Sequence, residues 1–208
     1  MLTALAIILS YLVGSISFSY EIGKQLRKLD IREHGSGNAG ATNTLRVMGI
    51  GPAIVVLLLD AGKGIGAVFL GFYLSGGSPV IAATSGLAAI LGHNWPVYYG
   101  FRGGKGVATT IGVLATLVIF PALIAGAVAI GAIIFTRYVS LGSLIFMIGT
   151  TLITAIFYNY FEYPFYYVYF LIFITLLSIW RHRLNIERLL SKTESKLGEK
   201  AQAKQGEA

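Results

Sequence analysis

Hydrophobic residues run through this chain in long blocks, separated by short polar stretches, several of them dense in glycine and basic residues. The blocks cover Leu2 to Phe18, Ile50 to Tyr73, Pro79 to Tyr98, Val107 to Phe135, Val139 to Tyr158 and Phe165 to Trp180. Crossing about 30 Å of hydrocarbon takes roughly 20 residues of helix, so the blocks predict membrane-spanning helices. The stretch from Val107 to Phe135 is too long for one upright span and short for two, and Pro121 near its middle predicts a hairpin broken at that residue. No Lys or Arg precedes Lys24, so the first block lacks the basic flank of a cleaved signal peptide and reads as a retained span.

Basic residues orient the spans. The polar stretch after the first block carries Lys24, Arg27, Lys28, Arg32 and Arg46, that between the third and fourth carries Arg102 and Lys105, and Arg137 and the chain after Trp180 carry nearly all the rest. Stretches 75–78 and 159–164 and the surroundings of Pro121 have none. With the long block split, every basic loop falls on one side; left whole, it places Arg137 and the basic tail opposite the first loop, against the positive-inside tendency. The sequence therefore predicts an all-α membrane protein of seven helices, amino terminus outside and carboxyl terminus cytoplasmic. Residues 1–192 form the membrane domain, with an amphipathic helix from Arg181 that carries Leu184, Ile186, Leu189 and Leu190. Residues 193–208 read as a charged, disordered tail.

Composition agrees. The 208 residues are 55% hydrophobic and 12% charged, with mean hydropathy +0.73, which excludes a water-soluble globule. The 26 glycines suit closely packed membrane helices. The absence of cysteine removes disulfides, thiolate metal sites and a cysteine nucleophile. No internal repeat supports the duplicated architecture common in secondary transporters.

Polar chemistry gathers on the basic side, where His34, His93 and His182 fall with three glycine- or charge-rich segments. Gly35 to Arg46, GSGNAGATNTLR, offers backbone amides at Gly35, Gly37 and Gly40, side-chain donors at Ser36, Asn38, Thr42 and Asn43, and a bidentate cation at Arg46. Its formal GxGxxG follows no strand, so it is no dinucleotide fingerprint; the choice is between an anion site and a polar turn. Gly100 to Thr110, GFRGGKGVATT, departs from a Walker A loop. Gly103, Gly104, Lys105 and Gly106 opening a helix, with Thr109 one turn on, still make a plausible phosphate cradle, the alternative being a flexible positive-inside loop. In RHRLNIER, Arg181 to Arg188, the arginines are what topology alone requires, whereas His182 and Asn185 share one helical face. Asp60 and Lys63, three apart inside a span, predict a neutralising pair, functional or structural.

Together GSGNAGATNTLR, GHNWPVYYGFRGGKGVATT and RHRLNIER resemble the three cytoplasmic motifs of the bacterial acyl-phosphate:glycerol-3-phosphate acyltransferases, the PlsY family, in order, spacing and topology from about Tyr11 to Arg188. The resemblance implies transfer of a fatty acyl group from long-chain acyl phosphate to the sn-1 hydroxyl of glycerol 3-phosphate. The product is lysophosphatidic acid for phospholipid synthesis, made at the cytoplasmic face of the bacterial inner membrane. It implies catalytic roles for Ser36, Arg46, His182 and Asn185, and a glycerol 3-phosphate site at Gly103, Gly104 and Gly106. Gly35, Gly37, Asn38, Thr42, Asn43, Lys63, His93, Lys105 and Thr109 complete the expected substrate contacts. No cofactor, metal or nucleic acid is expected, and membrane lipid is the surrounding partner. The proton of the acceptor hydroxyl goes either to His182 or to a substrate phosphate oxygen, and direct attack competes with an acyl-Ser36 intermediate. A transporter or channel for an anionic solute is the alternative from another class.

Overall fold

A computed structural model describes residues 2–199, and all regular structure among them is helical. α1 (Leu2–Gly14) and α2 (Phe18–Arg27) divide the first apolar block at Ser15–Ser17. α3 (Ala41–Met48) leads into α4 (Ile50–Leu74), α5 (Pro79–Asn94) follows, and α6 (Val107–Leu117) and α7 (Ile119–Thr136) divide the long block. α8 (Val139–Phe157), α9 (Tyr166–Arg181) and α10 (Arg183–Leu190) complete the chain. By length and composition, Leu2–Arg27, Ile50–Leu74, Ile119–Thr136 and Val139–Phe157 are able to cross a membrane, while Val107–Leu117 and Tyr166–Arg181 are apolar but shorter.

The hairpin break differs from the sequence expectation. It falls at Val118, whose φ of −144° and ψ of 59° leave the helical region, and Pro121 lies in the first turn of α7. Proline is tolerated there because its missing N–H would have no partner in a first turn anyway. The split is consequently uneven, with 11 residues in α6 and 18 in α7. At 1.5 Å per residue α6 supplies only about 16 Å of the roughly 30 Å of hydrocarbon. The glycine-rich segment before it therefore enters the bundle, and Gly104 and Gly106 are buried.

Two groups of helices build the bundle. α1, α4, α5 and α6 pack on one another, as do α7, α8 and α9, and the groups join through α5–α9 and α6–α7. The core between them contains Val68, Ile90, Val113, Leu114, Met147 and Leu171. Lipid provides no hydrophobic drive between helices, so backbone proximity and hydrogen bonds must hold them together. α4 and α6 touch where Gly64 faces Thr109 O and Gly112 faces Ala61 O, so close that a methyl at either glycine would collide with backbone. Across α8 and α9, Thr151 and Thr175 hydroxyls lie 2.7 Å apart, and Thr175 also donates to Met147 O.

The basic loops meet at one end of the bundle. Arg32 Nη1 donates to Tyr99 O at 3.0 Å, Arg46 Nη2 to Ser195 O at 3.3 Å, and Arg137 Nη2 to Leu197 O at 2.6 Å. In the stretch read from sequence as a charged tail, residues 193–199 lie against the bundle, with Glu194 buried and Leu197 N–H donating to Arg137 O. The remainder of that expected tail, 200–208, lies outside the described residues.

Candidate active site

The first loop is folded around one side chain. Asn43, in the opening turn of α3 and fully buried, accepts from Ser36 N–H at 2.8 Å and donates to Ile31 O and His34 O, both at 3.0 Å. A buried amide with every hydrogen bond filled by the loop fixes its path, leaving Gly35, Ser36 and Gly37 exposed. Gly35 and Gly37 have φ of 60° and 72°, left-handed values that a glycine adopts without strain. Asn38 and Thr42 are half-buried beside them, and His34 points to solvent with Nδ1 on Asp30 O. Ala39 carries the loop inward, its carbonyl oxygen against Gly104.

The glycine loop is gripped from beneath. Gly104 N–H donates to His93 O at 3.1 Å, and the His93 ring lies so close to Gly104 that a side chain there would strike Nε2. His93 Nδ1 accepts from Lys63 Nζ at 3.0 Å, and Lys63 in turn pairs with Asp60 at 2.9 Å. Lys63 also donates to Ile16 O at 2.8 Å, satisfying a carbonyl freed by the break between α1 and α2. All three side chains are buried, so the expected pair exists and His93 joins it. Gly106 (φ 79°) caps α6 above the buried Asn94 amide, whose polar atoms find no hydrogen-bond partner among the described residues. Thr109 is fully buried on the turn packed against α4.

At the third corner the helical path bends at His182, between α9 and α10, and turns His182 and Asn185 inward, 2% and 6% exposed. Asn185 Oδ1 accepts from Lys105 Nζ, and Asn185 Nδ2 donates to Glu194 at 2.6 Å. Glu194 also accepts from Ser140 at 2.8 Å and from Arg188 Nε at 2.7 Å. Burial pushes the Glu194 carboxyl up, but these bonds outweigh it and hold its pKa below the ordinary carboxylate value. Loss of water, reinforced by Arg188, Arg46 and Arg181 and opposed by Glu194, lowers the Lys105 pKa to about 8. His182 is lowered to about 4, first by burial and then by Lys105, so it is neutral near pH 7. Its Nδ1–H donates to Ser178 O at 2.8 Å, which leaves Nε2 as an acceptor. Arg46, Lys105 and Arg188, from three separate segments, thus share one neighbourhood with the Glu194 carboxylate. Among the described residues no group of three His, Asp or Glu side chains is arranged to hold a metal ion.

Residues 4–192 match the family model described as glycerol-3-phosphate acyltransferase. The chain belongs to the glycerol-3-phosphate acyltransferase family. The glycerol-3-phosphate acyltransferase of Halalkalibacterium halodurans is 61% identical over 94% of this chain and 96% of its own length. That of Thermoanaerobacter pseudethanolicus is 47% identical over 98% and 100%. The crystal structure of PlsY, an integral membrane glycerol 3-phosphate acyltransferase, in its glycerol 3-phosphate form superposes with TM-score 0.87. The two are 38% identical over 94% of this chain and 96% of that one. Its lysophosphatidic acid form gives 0.84 at 37% identity. The acyltransferase is therefore an all-helical integral membrane protein of the PlsY fold.

Within this acyltransferase the tertiary structure sorts the residues expected from sequence. Arg46, Lys105 and Asn185 converge with His182, and Gly104 abuts the first loop. Asn43, Lys63, His93 and Thr109 are turned inward as supports of the loops and helices. Sequence reasoning missed Ser140 and Glu194, which lie 54 residues apart yet bond each other. It also treated Arg181 and Arg188 as topological charge. The one available signal was Glu194 itself, an acid shortly after a basic helix in a stretch otherwise read as solvated.

Proposed function

We propose that this acyltransferase moves a fatty acyl group from acyl phosphate to the sn-1 hydroxyl of glycerol 3-phosphate, releasing phosphate and lysophosphatidic acid in bacterial phospholipid synthesis. The observation that carries the reading is the convergence of Arg46, Lys105 and Asn185 from three separate segments around a buried carboxylate, an environment built for anions at one end of an apolar bundle. Both proposed substrates carry phosphate, and the acyl chain of one belongs among the helices. The basic loops meet at one end with two helices between each pair, which supports seven spans, an external amino terminus and a cytoplasmic site in the inner membrane.

In this mechanism Ser36, Asn38 and Arg46 orient the acyl phosphate, and Lys105 with Gly103, Gly104 and Gly106 holds glycerol 3-phosphate. The acceptor hydroxyl oxygen attacks the acyl carbonyl carbon, the bond from that carbon to the bridging phosphate oxygen breaks, and phosphate leaves with the electron pair. The hydroxyl proton passes to a phosphate oxygen. A phosphate monoester has a second pKa near 6, whereas His182 at about 4 is the weaker base by about two orders of magnitude. His182 Nε2 then orients the hydroxyl, assisted by Asn185. Direct attack is favoured over an acyl-Ser36 intermediate because Ser36 is exposed on its loop and no base bonds its hydroxyl among the described residues.

The test supplies labelled glycerol 3-phosphate and acyl phosphate to the purified protein in detergent, where no compartments exist. Lysophosphatidic acid is the expected product; its absence, with solute uptake into vesicles, would establish a transporter instead. In the same assay His182→Ala retains measurable turnover, since it removes an orienting contact and not the proton acceptor. An acylated Ser36 trapped without acceptor would overturn direct attack.

A further inference from the structure

Arg181 ends α9 and has no part in the chemistry above. Its guanidinium reaches the glycine loop and donates to Gly103 O at 3.4 Å and to Gly104 O. Two indoles lie beside it, with the guanidinium carbon 5.3 Å from the Trp95 ring centroid and 5.9 Å from that of Trp180. The rings are themselves 5.8 Å apart. Stacking on aromatic faces with a fork of donors is a property of the planar guanidinium that a lysine ammonium does not reproduce.

Peptide geometry turns this contact into a constraint on the loop. In a trans peptide the carbonyl and the amide of the same unit point in opposite directions, and this chain has no cis bond among its described residues. With Gly103 O facing Arg181, the Gly104 N–H faces away, where it meets His93 O at 3.1 Å. With Gly104 O also facing Arg181, the Lys105 N–H is directed to the opposite side. The loop is thus held between His93 beneath and Arg181 above, at the two residues that have no side chains to hold them in place.

We propose that Arg181 is a positioning residue for the acceptor: held against the adjacent Trp95 and Trp180 rings, it fixes the Gly103, Gly104 and Lys105 peptides in the orientation that binds the phosphate of glycerol 3-phosphate. The proposal rests on the assignment of the glycine loop to that substrate. It separates affinity from chemistry, because Arg181 touches backbone carbonyls on the far side of the loop and not the reacting atoms. Removing it loosens acceptor binding and leaves the acyl-donor site, built on the first loop, as it was.

The experiment compares wild type and Arg181→Lys in detergent, measuring KM for each substrate and kcat. KM for glycerol 3-phosphate rises about tenfold, the effect of losing one charge-assisted hydrogen bond. KM for acyl phosphate and kcat stay within about twofold. The two tryptophans of the chain both border Arg181, so intrinsic fluorescence reports this contact directly. Glycerol 3-phosphate changes wild-type emission with a midpoint that moves by the same factor in the variant. If Arg181→Lys cannot be recovered folded, Arg181→Gln, which keeps a planar donor, is measured in its place. Unchanged acceptor KM, equal rises in both KM values, or wild-type emission that ignores saturating acceptor while product forms would each overturn the proposal. Wild-type protein that makes no lysophosphatidic acid overturns the parent reading, a result distinct from all three.

Discussion

Lys105 illustrates how one side chain links environment to pH response. Its lowered pKa means that the free enzyme loses this charge near pH 8, where an ordinary lysine remains protonated until about 10.5. The sign follows directly: below 8 Lys105 is cationic and attracts phosphate, and above 8 a growing fraction is neutral and does not. KM for glycerol 3-phosphate therefore about doubles between pH 7 and 8 and approaches a rise of about tenfold per unit above pH 9, while kcat, set in the complex where the bound anion restores the proton, changes little. Initial-rate measurements from pH 7 to 10 check this, with Lys105→Arg as comparison because arginine keeps its charge throughout. Parallel rises in both proteins would remove Lys105 as the cause. The residue type and its place after two glycines were legible in the chain. Its low pKa was not, because that depends on burial beside Arg188, Arg46 and Arg181, contributed by other segments.

Helices in this protein meet through missing side chains. Gly112 of α6 lies against Ala61 O of α4, whereas Gly62 and Gly66 of α4 face outward with nothing within 4 Å. Gly112→Ala forces two backbones apart and lowers stability by roughly 1 to 3 kcal/mol, the usual cost of overpacking. Gly62→Ala is neutral or stabilising by about 0.5 to 1 kcal/mol, because alanine loses less backbone freedom on entering a helix. Thermal unfolding in detergent separates the two, and equal losses would discount the α4–α6 contact. Composition foretold close helix packing, but hydropathy cannot rank one helical glycine above another. The same limit explains the break at Val118: proline marked an irregularity, yet its tolerance in a first turn shifted the boundary three residues earlier.

At the scale of the whole molecule, charge and fold support one topology. The chain has no cysteine, so single cysteines can be placed without removing any. A membrane-impermeant maleimide added to whole cells labels Gly76→Cys and Tyr160→Cys, both exposed on loops without Lys or Arg, and reaches Lys28→Cys and Arg102→Cys only after permeabilisation. Labelling of all four from one side would overturn the seven-span arrangement. The sequence by itself determined the helical blocks and their likeness to a family, because hydropathy and basic loops are read over local windows in which each residue acts through its own transfer energy. It also marked the two glycine loops and the pair His182 and Asn185, since these motifs are contiguous. Only the tertiary structure decided that Glu194 docks between Asn185, Arg188 and Ser140, that Asn43, Lys63 and His93 support loops from within, and that Arg181 rests against two neighbouring tryptophans. Those assignments depend on contacts between distant segments, and the desolvation that gives them their strength exists only once the helices have packed.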